Sequence, residues 1–256
     1  MERRVTLIRK LLSILLLCGL LVATGTLLRA DEPVDAILLN TDRLYADRPN
    51  LETQLRAVRI LKEVAETNGP NIASAHWRLA RIYIGLGLLS ENADQKKNYF
   101  ELAEHHGLEA VNARPRLWQA QLWYGMAISR AAQNRGILSS LFAVSKVKEI
   151  MQTVLILNPD NVSARVLLSE LYRQAPPWPI SIGSKDKAVH YGLEAVDREA
   201  SISALKSLAF AYHEKGEKEI AKKYLDQAFT TAIRPLWSIE DEENLEKCKQ
   251  LLVTLL

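Results

Sequence analysis

The sequence predicts an all-α fold: a superhelix of about five helical hairpins, three of them stretched, closed by a C-terminal capping helix. Three observations predict it. The 256-residue chain has 48% hydrophobic residues and only 11 Gly and 9 Pro, a composition that suits one large globular domain or two small ones. One spacing rule of small and large residues recurs five times along the chain. Finally, Leu245, Cys248, Leu251, Leu252 and Leu255 form a single apolar stripe at helical spacing near the C-terminus.

The rule is clearest in the last unit. Leu208-Ala209, Tyr212 and Gly216 mark a first helix, and Ala221, Leu225 and Ala228 mark a second. This is the pattern of a tetratricopeptide repeat. A small residue lets the two helices approach, and larger residues fill the space between them. Leu79-Ala80, Tyr83 and Leu86-Gly87 repeat it with Ala103, Gly107, Ala110 and Pro115, although Gly107 stands where a bulky residue is usual. Leu44-Tyr45 precede Ala57, Leu61, Val64 and Gly69-Pro70 in the first unit. Tyr124-Gly125 and Ile128 precede Val147, Met151, Val154 and Pro159 in the third, and Leu168-Ser169 and Tyr172 precede Ala188, Gly192 and Ala195 in the fourth. Hairpins are expected near 36–68, 72–113, 116–157, 161–198 and 202–232, within a single repeat domain over 31–256.

The second-helix markers lie 46, 44, 41 and 33 residues apart, against about 34 for an ordinary repeat. The three middle units are therefore stretched. The extra residues are "LSENADQKKN", "AAQNRGILSSLF" and "APPWPISIGSKD". They join equivalent helix ends, so they are expected to emerge on one edge of the stack. Leu141, Phe142 and Trp178 mark that edge. Pro176-Pro177 stop the preceding helix, because proline disfavours helix in the residue before it. Trp178 is expected to lie against the stack, either as a packing residue of a rigid linker or as a partner contact.

The capping helix is expected over 239–255. Ser238 and Asp241 resemble a capping box. Glu240, Asp241, Glu242 and Glu243 suit the positive end of the helix dipole, and they read as a solvated first turn, with a docking patch as the alternative.

Residues 1–30 differ from the rest. MERRVTLIRK is basic, and Leu11 to Leu28 carry no charge. This is the pattern of a signal peptide, with Ala23-Thr24-Gly25 and Leu28-Arg29-Ala30 as cleavage sites, or of an N-terminal membrane anchor. Both place the body of the chain in the periplasm or on the outer face of a membrane. Cys18 raises a lipoprotein reading, but Leu15-Leu16-Leu17 stand where lipid attachment needs a small residue. Five of the 33 basic residues and one of the 30 acidic residues fall in this segment, which leaves 28 and 29. No global basic field remains to attract nucleic acid. Beyond the segment Cys248 is the only cysteine, so no intrachain disulfide forms there.

In repeat register, the positions facing the concave wall are Ser74, Trp77, Arg81 and Ile84; Gln119, Leu122, Met126 and Ser129; Ser163, Val166, Glu170 and Arg173; and Ser203, Lys206, Phe210 and His213. Trp77, Leu122, Met126, Val166 and Phe210 are apolar where a surface is usually polar. With Arg81, Arg130, Arg173 and His213 they predict a groove for a protein segment or an apolar ligand. The alternative is that the end helix or the first hairpin covers them. No GxSxG, phosphate-binding loop, HExxH or Cys-His cluster occurs, so a non-enzymatic protein without cofactor or metal is expected. His105 and Glu109 have the spacing to share a metal on one helix face, but no third ligand is evident, and His105-His106 read as surface histidines. Asn161-Val162-Ser163 has the glycosylation pattern, yet after Pro159-Asp160 it reads as a helix start.

The stretched middle repeats, "GILSSLFAVSKVKEIMQTVLILNPDN" and "LLSELYRQAPPWPISIGSKDKAVHYGLEAV" together resemble the T-component family associated with tripartite ATP-independent periplasmic (TRAP) transporters, from about Asp42 to Ala228. The resemblance implies an exported, often lipid-anchored tetratricopeptide protein. Such a protein works beside a periplasmic solute-binding protein and binds apolar ligands in a central pore. The chain also resembles the regulator of microtubule dynamics family, which pairs an N-terminal apolar segment with such repeats. The expected function is an exported helical-repeat binding protein serving transport. The alternative is a general cell-envelope assembly scaffold.

Overall fold

The computed structural model describes residues 34–48, 50–67 and 69–255. The N-terminal apolar segment with Cys18 lies outside them. Among the described residues there are eleven α-helices and no strand. They are α1 (Val34–Ala46), α2 (Leu51–Glu66), α3 (Ile72–Leu89), α4 (Ala93–Ala113), α5 (Trp118–Arg135), α6 (Ile137–Leu157), α7 (Val162–Gln174), α8 (Lys185–Arg198), α9 (Ile202–Lys215), α10 (Lys218–Thr230) and α11 (Ser238–Leu255). A 3₁₀ turn, Pro235–Trp237, leads into α11. The tetratricopeptide-type superhelix with its closing helix is present. Helices α3 and α4, α5 and α6, α7 and α8, and α9 and α10 pack as pairs, and α4–α5, α6–α7 and α8–α9 contacts join successive pairs. The first helices also touch one another, α3 on α5, α5 on α7 and α7 on α9, which makes them the inner wall.

Side-chain caps set several boundaries. Asn50, Asn92, Asn161 and Ser184 each accept a hydrogen bond from the first turn of the following helix. Asn161 is buried and accepts from the Ala164 amide at 2.9 Å, so its side chain serves as a helix cap.

Close approach explains the glycine in the second repeat. A Cβ on Gly107 would lie 2.8 Å from the Tyr124 Cα, and one on Gly192 would lie 3.3 Å from the Leu208 Cα. The two glycines hold the same repeat position in α4 and α8, and Tyr124 and Leu208 hold the same position in α5 and α9. At both joints a second helix rests directly on the backbone of the next first helix.

A ladder of ring pairs fills the hairpins. Tyr83 stacks on His106 at 5.6 Å, Tyr172 on Tyr191 at 5.6 Å and Tyr212 on Tyr224 at 5.8 Å, each within 5° of parallel. In the third hairpin Ile128 and Ile150 take these places in the core. His106 is therefore a buried rung of the ladder, not the surface histidine expected from the sequence, whereas His105 is exposed.

Two of the three insertions are not loops. Only Ser90 to Asn92 separate α3 from α4, and only Gly136 separates α5 from α6. The extra residues lengthen the helices instead, because these segments contain no proline and a single glycine, Gly136, at φ 105°. The third insertion is a true loop, since Pro176, Pro177 and Pro179 cannot continue a helix. It is closed by hydrogen bonds from Gly183 N to Pro176 O and from Ser184 N to Tyr172 O, both 2.9 Å. Trp178 does not pack against the stack. It is 84% exposed, and Ile182 meets the core in its place.

The His76 and His106 Nδ1 atoms lie 2.9 Å apart, one donating to the other, across α3 and α4. Burial lowers both imidazoles. His106 is pushed down to about 3 by burial first and then by the charges of His76, His105 and Lys62. In the unfolded chain a histidine titrates near 6.5. As pH falls below that value the unfolded state takes up protons that the folded state refuses, so stability is lost between pH 6.5 and 3. Urea unfolding at pH 7 and pH 5 is expected to show a loss of about 2 kcal/mol. His106→Tyr, which restores the residue of the other rungs, is expected to remove most of that difference.

Candidate binding groove

Helix α11 is held in two different ways. Its second half is apolar. Cys248 and Leu251 are buried with Leu205 and Ala209 of α9 and Leu225 and Ala228 of α10, which covers the last repeat. Burial pushes the Cys248 thiol up to about 11. The first half and the preceding turn carry polar and aromatic contacts across the concave face. Trp237 stacks on Trp123 of α5 at 5.7 Å and 15°. Glu240 takes both terminal nitrogens of Arg48, with Nη2–Oε1 at 2.9 Å, and Arg48 Nη1 also donates to the Leu236 carbonyl at 2.8 Å. Arg48 and Glu240 are 1% and 5% exposed, and the guanidinium lies over the Tyr45 ring. Glu243 pairs with Arg130 of α5 at 3.0 Å and with Lys247 at 2.7 Å. Burial alone would raise the Glu243 carboxyl, but the Arg130 charge and then Lys247 outweigh it and hold the group at about 2.

Of the four acids expected to form a solvated first turn, only Glu242 is exposed. Asp241 is fully buried and accepts from the backbone amide and the guanidinium of Arg234 at 3.1 and 2.8 Å. It binds the chain upstream of the helix and does not close a capping box with Ser238.

Beside α11 the concave face remains open as two adjoining cavities of about 360 and 330 Å³. The larger lies among α5, α6 and α7, with Ala132, Leu141, Val144, Leu167 and Leu171 as its apolar wall. The smaller is lined by Met126, Arg130, Val166 and Lys206, together with Trp237 and Glu240. Ser129, Gln133, Leu167, Glu170 and Gln174 belong to both. Glu170 sits at this seam, paired with Arg173 at 2.6 Å and Lys206 at 2.7 Å. Burial would raise its carboxyl, yet Lys206 and Arg173 hold it far below the ordinary range. Both cations lie over the Phe210 ring.

The predicted groove residues divide accordingly. Met126, Arg130 and Val166 line the cavities, and so does Leu141, which the sequence placed on the insertion edge. Trp77 and Leu122 are buried at 8% and 3% exposure and offer no open contact surface. Arg81 turns to Asp42 of α1 and lies over Tyr45, because the first hairpin covers that end of the wall. Burial would raise the Asp42 carboxyl, but Arg78 and Arg81 bring it below its ordinary value. Arg173 is taken up by Glu170 and Glu214. Phe210 packs against the cluster that holds Cys248, and His213 is half-buried. Phe142 and Trp178 stand exposed at 85% and 84%. Sequence reasoning missed Gln133, Leu167, Gln174 and the row of contacts made by Trp237, Glu240 and Glu243, although cover by the end helix was one of its two alternatives. The signal for that row was its spacing, three residues apart on the face beside the apolar stripe. Among the described residues, no group of three or more His, Cys, Asp or Glu is arranged to hold a metal ion.

A stack of helical hairpins with an open inner groove defines a tetratricopeptide-type helical-repeat protein. The sequence matches the regulator of microtubule dynamics protein 1–3 family over residues 37–174, from α1 to the last residue of α7, and the chain belongs to that family. No curated protein matches the sequence. Among solved structures, the thermophilic tetratricopeptide protein TTC0263 of Thermus thermophilus overlays with a TM-score of 0.59 at 17% identity, covering 85% of this chain and 98% of its own. MamA overlays with a TM-score of 0.49 at 20% identity, covering 77% of this chain and 92% of its own. At 17% identity the likeness to TTC0263 is one of fold.

Removing one partner of a buried ion pair leaves an uncompensated charge, at a cost of about 3–5 kcal/mol. Arg48→Met is expected to lower unfolding stability by about that amount. Adding Glu240→Leu to Arg48→Met is expected to recover most of the loss, as read by denaturant titration.

Proposed function

We propose that the protein is a non-enzymatic binding scaffold at the outer face of a membrane, which residues 11–28 address or attach it to. It holds a partner protein segment, or an apolar ligand, in the groove among α5, α6 and α7. The observation that carries this reading is the open pair of cavities beside α11, with an apolar wall and the ion-paired Glu170 at their seam. Their volumes fall in the range of small-ligand pockets, which are concave, mostly apolar and marked by a few placed polar groups. The transport-accessory role is the finer form of the proposal. It rests on the sequence resemblance and implies a periplasmic solute-binding protein as partner.

A second reading, a cell-envelope assembly scaffold, is favoured by the exposed Phe142, Trp178 and Ile180 on the edge of the stack. Large exposed apolar side chains grouped on one edge suit a protein partner. The family description names microtubule dynamics. After residue 30 the chain carries 28 basic and 29 acidic residues, so it has no long-range field that would draw it to a charged polymer.

Filling the larger cavity tests the groove. Ala143 lines it from α6. The full chain is expected to bind the apolar dye Nile red with a saturable component that Ala143→Trp removes, while the helical circular dichroism is kept. An unchanged titration in Ala143→Trp contradicts the groove reading.

A further inference from the structure

We infer that the concave face is a receptor for an acidic, tryptophan-bearing amphipathic helix of a partner protein, and that the first half of α11 occupies it in cis as a displaceable stand-in. The inference rests on the groove-binding function proposed above and names the chemistry of its partner.

The geometry of α11 exceeds what a cap requires. Covering the last repeat needs only the apolar second half, where Cys248 and Leu251 meet α9 and α10. The first half continues past that repeat to Arg48, 192 positions away in the chain. Its contacts follow one face. Glu240 and Glu243 of α11 and Trp237 of the 3₁₀ turn before it are three residues apart, a spacing that places them in one row. Their receptors come from two separate elements. Trp123 and Arg130 lie on α5, and Arg48 follows α1. The receiving surface is thus an aromatic ring followed by two guanidinium groups, and its complement is a segment reading Trp-x-x-Glu-x-x-Glu.

The energetics separate the two halves. A buried ion pair contributes little net stability, because desolvation offsets most of the attraction, but it discriminates strongly against unmatched groups. The apolar half has no such offset. The first half of α11 is therefore the part held by matched polar groups, and the second half is the part held by apolar contact. Once the first half leaves, Arg48 loses its carboxylate and Trp123 loses its ring partner, and both costs are relieved by a helix of the same pattern. Apolar occupants fail at Arg48 and Arg130, and basic occupants are repelled there.

The test uses the full-length protein and a fluorescein-labelled peptide of residues 233–247, read by fluorescence anisotropy. The release variant carries Trp237→Ala, Glu240→Gln and Glu243→Gln. It is expected to bind the peptide at least tenfold more tightly than the wild type, and adding Arg48→Met and Arg130→Met is expected to abolish the gain. Equal affinity of wild type and release variant overturns the inference, as does a gain that survives loss of both arginines. A peptide-free dimer of the release variant, seen by light scattering, also overturns it, since the occupant is then a second copy. Hydrogen exchange on the wild type gives a reading without variants. Amides of Glu240 to Asn244 are expected to exchange at least tenfold faster than those of Cys248 to Leu251, and equal rates contradict displacement. Loss of peptide binding with Nile red binding intact removes this inference alone, whereas loss of the dye site removes the groove reading beneath it.

Discussion

The shape of the concave face depends on one contact, the buried bidentate pair of Arg48 and Glu240. It ties the residue after the first helix to the last helix and so spans the groove from side to side. Neither charge has water to fall back on, so each fixes the other. Arg48 is further confined by the Tyr45 ring and the Leu236 carbonyl. With Glu240 placed, Trp237 falls on Trp123 and Glu243 on Arg130. These three contacts decide which part of the wall is covered by the chain itself and which part stays open as the two cavities.

The hairpins beneath are held by a different logic. Each is an interlock of small residues that permit approach and rings that stack where the helices face each other. Gly107 and Gly192 bring a second helix onto the next first helix, and the stacked pairs of Tyr83, Tyr172 and Tyr212 repeat with nearly constant spacing. The repeat tolerates chemical change at a rung when shape is kept. His106 fills a tyrosine site at the expense of acid stability, and an isoleucine pair fills the third hairpin.

The hairpins were legible in the sequence because they are local. Ala221, Leu225 and Ala228 announce their helix by spacing alone, and every one of them is fully buried. Where loops lie was less legible. "AAQNRGILSSLF" looked like an insertion by length, yet helix propensity turned all of it except Gly136 into helix. The site was legible only in part. Met126, Ser129 and Val166 face the groove as their register predicts. Trp77, Leu122 and Arg81 hold equivalent register positions but are closed off, Leu122 within the core cluster and Arg81 by Asp42 and Tyr45 of α1, and register does not report what lies across a groove. The acidic turn of α11 misled for the same reason, since its cationic partners lie at Arg48 and Arg130.

The docking of the turn before α11 onto α5 can be read most directly from the Trp123–Trp237 stack, whose rings lie 5.7 Å apart at 15°. Indoles this close couple excitonically. The difference circular dichroism spectrum of wild type minus Trp237→Phe should therefore contain a paired positive and negative band in the indole region. A difference spectrum with a single unsplit band would contradict a closing helix that crosses the concave face.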